Sequence, residues 1–559
     1  MLLSILVASL PLAPPASGDA PPPPRPNILW LTVEDMSPWI GPYGDTTVPT
    51  PHLDAFARDA IRYENAFSGS PVCAPARTAL ITGMRPTRIG AMHMRTRSRS
   101  KAAGDAAYGD LPLYEAVPPP FVRCFPETLR RAGYHVTNNS KTDYQFVAPA
   151  WTWDASSRKA HYRARPEGAP FFAVFNHTGT HESQTFPNAR ERPSAVALQD
   201  VPIPPFYPDT PAVRDALKRT YDNIAAMDAW FGRKLAELEE SGLADSTIVF
   251  FFSDHGVGLP RGKRSVYGTG TRVPLLVRIP EAYRSAAGAP SSPTDRLVSF
   301  VDLGPTALSL AGIAPDERLD GRAFLGAHAA PPRDVVFLHA DRFDAARDRT
   351  RAITDGRRLV VHNLMRDVPH LIANAYRERI PMTHDLYALR EGGALASSST
   401  AAQWQVASTE RPSTEWYDRA EDPWEVVDLA RAPLAPADRG PFERLDQALR
   451  EDRDGGDDLG LLDDEAEMVR SVLWRGAAEQ PTTAAPVCRV ELDAGGGRPA
   501  LRVTCATEGA SIGVRPGEGA PWRVYDPARP AFPAGASTVD VCAHRIGYRP
   551  SEVARVAPR

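Results

Sequence analysis

The chain of 559 residues contains only five cysteines, Cys73, Cys124, Cys488, Cys505 and Cys542, too few and too scattered for a disulfide scaffold or a zinc ribbon. Beyond the N-terminus no apolar run approaches the roughly 18 residues that cross a bilayer. Excess charge is also missing. The 64 Lys and Arg against 68 Asp and Glu leave a net −4, so no global basic field marks a nucleic-acid partner. What the chain has in quantity is proline, 56 residues, which interrupts helices and favours ordered loops. At this length one large α/β body with smaller appendages is expected.

The N-terminus reads Met1-Leu2-Leu3-Ser4-Ile5-Leu6-Val7-Ala8-Ser9-Leu10 and continues in small and proline-rich residues to Pro24. A short apolar core before a small-residue zone near Ala16 to Gly18 resembles a secretory signal, although the usual positive n-region is missing. Residues 1–24 are read as a signal peptide and leader, and the protein is expected to be exported, to the periplasm or the medium.

Three continuous apolar runs have strand length: Asn27 to Val33, Pro170 to Phe175 and Thr247 to Phe252. Continuous apolarity predicts central parallel strands covered on both faces. Helix-period segments lie between them, the clearest placing Ile224, Met227, Phe231, Leu235 and Leu238 on one face before Gly242. The expected body, residues 25–320, is therefore α/β, a mostly parallel central sheet flanked by helices. Ligands of such sheets bind outside the carboxyl ends of the strands. Glu34-Asp35, Asp254-His255 and His181 all occupy or follow such ends.

From 321 to 475 the strands shorten, as in Asp334 to His339 and Arg358 to His362, which predicts a smaller α+β subdomain. A linker is read at 476–486. Residues 487–559 show period-two segments separated by Gly and Pro and are read as an immunoglobulin-like β-sandwich. Cys488, Cys505 and Cys542 all fall there, and the sequence does not choose a disulfide pair among them.

Chemistry concentrates at Cys73-Ala74-Pro75-Ala76-Arg77, which opens a helix-like stretch ending at Gly83. A side chain at a helix start faces unpaired N–H groups and the positive end of the macrodipole. Arg77 adds a planar cation suited to a tetrahedral oxyanion.

Taken in order, Glu34-Asp35, Cys73-x-Pro75-x-Arg77 with Thr78-Ala79-Leu80-Ile81-Thr82-Gly83, and Asp254-His255-Gly256 resemble the type I sulfatases of the alkaline-phosphatase-like superfamily. The similarity runs over most of residues 25 to 430. Val360-Val361-His362-Asn363-Leu364 and the segment Trp416-Tyr417-Asp418 to Asp422-Pro423-Trp424-Glu425 resemble heparan N-sulfatase-like bacterial sulfatases in particular.

The resemblance implies that a formylglycine-generating enzyme converts Cys73 to formylglycine, the nucleophile. It implies one divalent cation, Ca²⁺ or Mg²⁺, held by Glu34, Asp35, Asp254, His255 and an oxygen of modified Cys73, a hard donor set. Glu34 stands where the family has Asp. Arg77 would hold the formylglycine and sulfate charge. Lys141 matches the lysine of a G-K-x-H segment whose histidine, credited with releasing sulfate, is here Asp143, so either Asp143 takes that catalytic base role or another group does. His181, preferred over His177, would contact the sulfate ester. Lys263, with Arg264 as its neighbour, would touch the leaving-group oxygen, and His181 or Lys263 would protonate the leaving group.

The implied substrates are sulfate esters or sulfamates on carbohydrates. Arg97 and Arg99, in the alternating run Arg95 to Lys101, are candidate rim contacts to such a polyanion. Two rivals stay open. One is a phosphatase or phosphodiesterase of the same superfamily, which would bring a Ser or Thr nucleophile and two zinc ions. The other is a catalytically inactive glycan-binding homologue.

Overall fold

The continuous apolar runs form the middle of one sheet. The computed structural model describes residues 25–558 apart from 102–103, 394–400, 493–498, 531 and 533–534. The leader read at 1–24 lies outside the described residues.

The central strands are β1 (Asn27–Val33), β2 (Ala60–Arg62), β4 (His135–Asn139), β5 (Ala155–Ser156), β6 (Phe171–His177), β7 (Thr247–Ser253) and β8 (Leu275–Arg278), while β3 (Ala66–Phe67) pairs with β9 (Val298–Ser299) outside this sheet. The order β2-β8-β7-β1-β6-β4-β5 places β1 at the centre, parallel to β6 and β7. Only β8 runs against its neighbours. Every residue of β1 and β7 is buried, as their unbroken apolarity requires.

Alternate strand residues serve two cores. Ile28, Trp30, Phe172, Phe250 and Phe252 face α2 (Cys73–Thr82) and α3 (Phe125–Arg131), which follow α1 (Pro51–Asp59) in the chain. Trp30 meets Phe172 and Phe252 edge to face, at 5.0 and 5.4 Å between centroids, a geometry worth about 0.5–1.5 kcal/mol per pair. Leu29, Leu31, Ala173 and Phe251 face α4 (Pro211–Glu240), whose Ile224, Met227, Phe231 and Leu238 are buried and whose Leu235 packs at the margin. Thr210 caps α4 by accepting from the Val213 N–H at 3.3 Å, with Pro211 at the first helical position.

The next unit is an antiparallel sheet of β10 (Val336–Ala340), β11 (Thr350–Thr354), β12 (Arg358–Asn363) and β13 (Thr414–Asp418) in that order. One face, with Ile353, Val360 and Trp416, packs on Leu445 and Leu449 of the helix Pro436–Asp454. The other, with Leu338, Ala352, Val361 and Tyr417, packs on Phe67, Val72 and Ala74. The second unit thus buttresses the start of α2, where Cys73 sits.

The C-terminal module pairs β14 (Val487–Leu492) with β15 (Pro499–Thr504), and orders β16 (Ser511–Arg515), β17 (Arg523–Val524), β18 (Val539–His544) and β19 (Ala554–Val556) as β17-β16-β18-β19. It is docked on the body rather than tethered. The indole N–H of Trp151 donates to Ser511 Oγ at 2.6 Å, and a Cβ on Gly513 would lie 2.0 Å from the Trp151 ring, so only glycine fits there. The stretch read as a linker is held as well, since Thr482 pairs with Arg549 and Thr483 is buried. No disulfide forms among Cys488, Cys505 and Cys542. Cys488 and Cys542 stand on different sheets, and the Cys505 thiol instead donates to the Ala484 carbonyl at 3.3 Å.

Candidate active site

The site forms where β1 and β7 end. Past Val33 the chain turns at Asp35, which takes φ +50°, a left-handed conformation that aspartate tolerates better than most residues. The Met36 N–H donates to the His255 carbonyl and the Asp254 N–H to the Val33 carbonyl, each at 3.0 Å. These bonds hold Glu34-Asp35 against Asp254-His255. Cys73 is the first residue of α2, behind an extended N-cap at Val72 whose side chain makes no capping bond.

The Cys73 sulfur lies 3.2 Å from His255 Nε2, 3.6 Å from Lys263 Nζ and 3.9 Å from Asp35 Oδ1. Lys263 Nζ donates to Asp35 at 2.8 Å, pairs with Glu182 at 2.9 Å and lies 3.3 Å from His181 Nε2. Arg77 donates through Nε to Asp254 at 3.0 Å and through one terminal nitrogen to Asn176 at 2.7 Å, while its other terminal nitrogen is buried without a partner. Lys141 donates to Glu34 at 2.8 Å. Sequence segments more than 200 residues apart thus place their polar ends around one sulfur atom.

Burial pushes the Cys73 thiol up, but Lys141 and Lys263 outweigh it and bring it down to about 7. Burial opposes charge on Lys263 too, and Asp35, Cys73 and Glu182 hold it well above its ordinary value. Burial and Lys263 work against a proton on His181, yet Asp35 and Cys73 leave it raised. His255 is buried and still raised to about 10, chiefly by Asp254 and Asp35. Asp254, despite burial, is lowered to about 2 by His255, Arg77 and Lys141.

The donor set fits a hard divalent cation. Glu34, Asp35, Cys73 and His181 form one group, and Asp35, Cys73, Asp254 and His255 another, with ligand atoms in each within 4.8 Å of one another. Glu34 Oε1 is buried and has no partner, a costly state for a carboxylate oxygen unless a cation meets it.

Glu34, Asp35, Cys73, Arg77, Lys141, His181, Asp254, His255 and Lys263 therefore come together. Asp143 stands at the edge, with a side chain 37% exposed, 3.7 Å from Lys141. Arg97 and Arg99 turn elsewhere. Arg97 donates to the Phe146 carbonyl and lies 3.5 Å from Glu115, and Arg99 donates to the Leu111 carbonyl at 2.9 Å and stacks on Tyr108. Arg95 of the same run is turned toward Tyr376 and Asp344. Its guanidinium lies over Tyr376 at 5.7 Å and pairs with Asp344, and the Tyr376 ring meets the His181 ring at 6.2 Å. His177 is directed to Trp230, at 4.8 Å between rings.

Sequence reasoning missed Asn176, Glu182 and Tyr376, and named Arg264 only as the neighbour of Lys263. Asn176 had a signal, as the first polar residue of an apolar strand at its carboxyl end. Glu182, beside His181, is buried in a bidentate pair with Arg264 at 2.8 and 2.9 Å and donates its backbone N–H to Asp35. Nothing local in the sequence marks that pairing.

A sulfatase family model matches residues 26–313. An ulvan-active sulfatase of Formosa agariphila is 38% identical over 580 aligned positions, covering 96% of this chain and 92% of that protein. The human N-sulphoglucosamine sulphohydrolase is 28% identical, over 73% of this chain and 86% of its own length. Among solved structures, a 2-O GAG sulfatase superposes with a TM-score of 0.53 at 17% identity, covering 78% of this chain and 93% of that one, which shows a shared fold. A family model spanning half of the chain, together with a relative aligned along nearly all of it, establishes that the chain belongs to the sulfatase family, enzymes that hydrolyse sulfuric esters.

Proposed function

We infer that this sulfatase removes sulfate from carbohydrates, as an ester or a sulfamate, using formylglycine at position 73 and one divalent cation. The observation that carries the reading is the surround of Cys73. Three cationic side chains, Arg77, Lys141 and Lys263, and the imidazole of His181 line one site with the carboxylates of Glu34, Asp35 and Asp254. That arrangement suits a tetrahedral sulfate oxyanion held between fixed positive charges and a metal. The relatives named for ulvan and for N-sulphoglucosamine support a glycan substrate but do not choose between ester and sulfamate.

Formylglycine at position 73 supplies a hydrated aldehyde, one hydroxyl to attack sulfur and a second whose ionisation frees sulfate, which a serine or cysteine lacks. A cation held by Glu34, Asp35, Asp254 and His255 supplies a fixed positive charge beside that group. Arg77 is oriented by Asp254 and Asn176 and keeps one terminal N–H group free for a sulfate oxygen. Lys141, anchored on Glu34, and Lys263, anchored on Asp35 and Glu182, place two further charges without the reorganisation water would need. His181, with a raised pKa and 3.3 Å from Lys263, is placed to give a proton to the departing oxygen or nitrogen. Export is part of the same proposal, resting on the leader-like N-terminus.

The test is hydrolysis of defined sulfated mono- and disaccharides alongside an aryl sulfate that carries no charge beyond its sulfate. Release of sulfate from the saccharides is the expected result, and failure on every sulfated compound contradicts the reading. The same panel tests Arg95 as a rim contact. Arg95→Ala is expected to raise KM about five- to tenfold for substrates carrying a second negative charge, with little change for the aryl sulfate, because a rim cation acts chiefly on charged partners. An equal change for both places Arg95 outside substrate recognition.

A further inference from the structure

A separate concavity, lined by apolar side chains and four arginines, lies on the far side of the sheet. It is a cleft of about 1150 Å³ between the catalytic body and the C-terminal module. One wall is the end of α3 and the start of β4, with Arg130, Arg131 and His135. The other is β17 and the turn after it, with Arg523, Asp526 and Arg529. His135 is the first residue of β4 and is held by the Pro170 carbonyl just before β6, so the cleft opens at the amino ends of the strands. The active site lies at their carboxyl ends. With β6 rising about 3.3 Å per residue, the two sites are separated by roughly 20 Å.

The walls are fixed to each other. Arg130 pairs with Asp154 at 2.6 Å and donates to the Trp522 carbonyl at 3.0 Å, and Arg529 pairs with Asp526 at 2.9 Å and donates to the Arg131 carbonyl at 2.7 Å. Both acids lining the cleft are thereby used. Arg131 and Arg523 have no ion-pair partner among the described residues, and Arg131 Nε and His135 Nε2 are buried polar atoms without a hydrogen bond. Burial holds His135 below its ordinary value, with Arg130 and Arg165 acting in the same direction against Asp154. Tyr525 is buried with its hydroxyl donating to the Leu501 carbonyl at 3.0 Å, which leaves no exposed ring there for stacking a nucleobase.

We propose that this cleft is a second, non-catalytic binding site for a sulfated polysaccharide, with Arg131 and Arg523 meeting its anionic groups on opposite walls. The proposal rests on the glycan sulfatase reading for the identity of the polymer. It gives the docked module a role, since the cleft exists only while the module is held against α3. Binding there raises the local concentration of polymer for an active site on the same molecule.

Dextran sulfate, with neutral dextran of the same length as control, is the probe. Affinity is measured on the full chain carrying Cys73→Ala, and turnover of a small aryl sulfate on the formylglycine-bearing protein. Adding Arg131→Ala and Arg523→Glu is expected to lower dextran sulfate affinity about tenfold and flatten its salt dependence, with aryl sulfate turnover unchanged. Arg523→Glu alone, at an exposed position where folding is not at stake, is expected to cost about threefold. Affinity within about twofold of the parent in both variants overturns the proposal. So does equally tight binding of single-stranded DNA of matched charge through the same arginines. Loss of aryl sulfate turnover in the parent, with arginine-dependent polymer binding intact, would instead refute the catalytic reading and leave the cleft standing.

Discussion

Replacing Cys73 by alanine is expected to leave the fold intact and lower turnover of an aryl sulfate at least about 10⁴-fold, the scale seen when a covalent nucleophile is removed. The fold survives because the first helical turn accepts alanine at least as well as cysteine and the volume lost is one sulfur atom. Turnover does not, because Arg77, Lys141, Lys263 and the carboxylates all address that side chain. Cys73→Ser separates two parts of the chemistry. It restores one hydroxyl but not the second, so it is expected either to stop at a sulfated protein or to stay inactive. Near-normal kcat in Cys73→Ala, measured on protein free of contaminating sulfatase, contradicts the account.

Removing divalent cations is the other large perturbation. Dialysis against a chelator is expected to lower kcat/KM by about 10²-fold or more, on the scale of losing a major electrostatic element, and to lower the melting temperature as well. The second readout follows from linkage. An ion present at 100 times its Kd stabilises the native state by about 2.7 kcal/mol. Ca²⁺ or Mg²⁺ should restore both properties, and whichever does so at the lower concentration is the favoured ion. Asp254→Ala should show little response of its melting temperature to the chelator, because it removes one donor and unties Arg77. A chelator that changes neither property of the parent contradicts a metal site at Glu34, Asp35, Asp254 and His255.

How much of this was legible in the sequence depends on how local each feature is. The three apolar runs gave β1, β6 and β7 because a strand buried on both faces must be apolar at every position. Glu34-Asp35 and Asp254-His255 were legible because abrupt carboxylates after such runs have one place to go, the carboxyl edge of the sheet. His181 rather than His177 faces the site, since the backbone beyond β6 sends His177 to Trp230. Arg97 and Arg99 read as rim contacts in the sequence, and both are held by local partners. Alternation from Arg95 to Lys101 says nothing about a loop in which Arg97 and Arg99 satisfy local carbonyls while Arg95, at φ +60°, turns to Asp344 and Tyr376. The pairing of Glu182 with Arg264 stayed invisible because it joins distant loops. Residues 476–486 read as a linker in the sequence, but Thr482 and Thr483 find partners across the module.

The central claim is that Cys73 is processed into the group that attacks sulfur. Mass spectrometry of the peptide carrying residue 73, from protein made together with a formylglycine-generating activity, tests it most directly. The account predicts an aldehyde in place of the thiol, reactive toward a hydrazide, with the aldehyde fraction proportional to aryl sulfate turnover across preparations. A fully active protein whose residue 73 remains an unmodified thiol would contradict it.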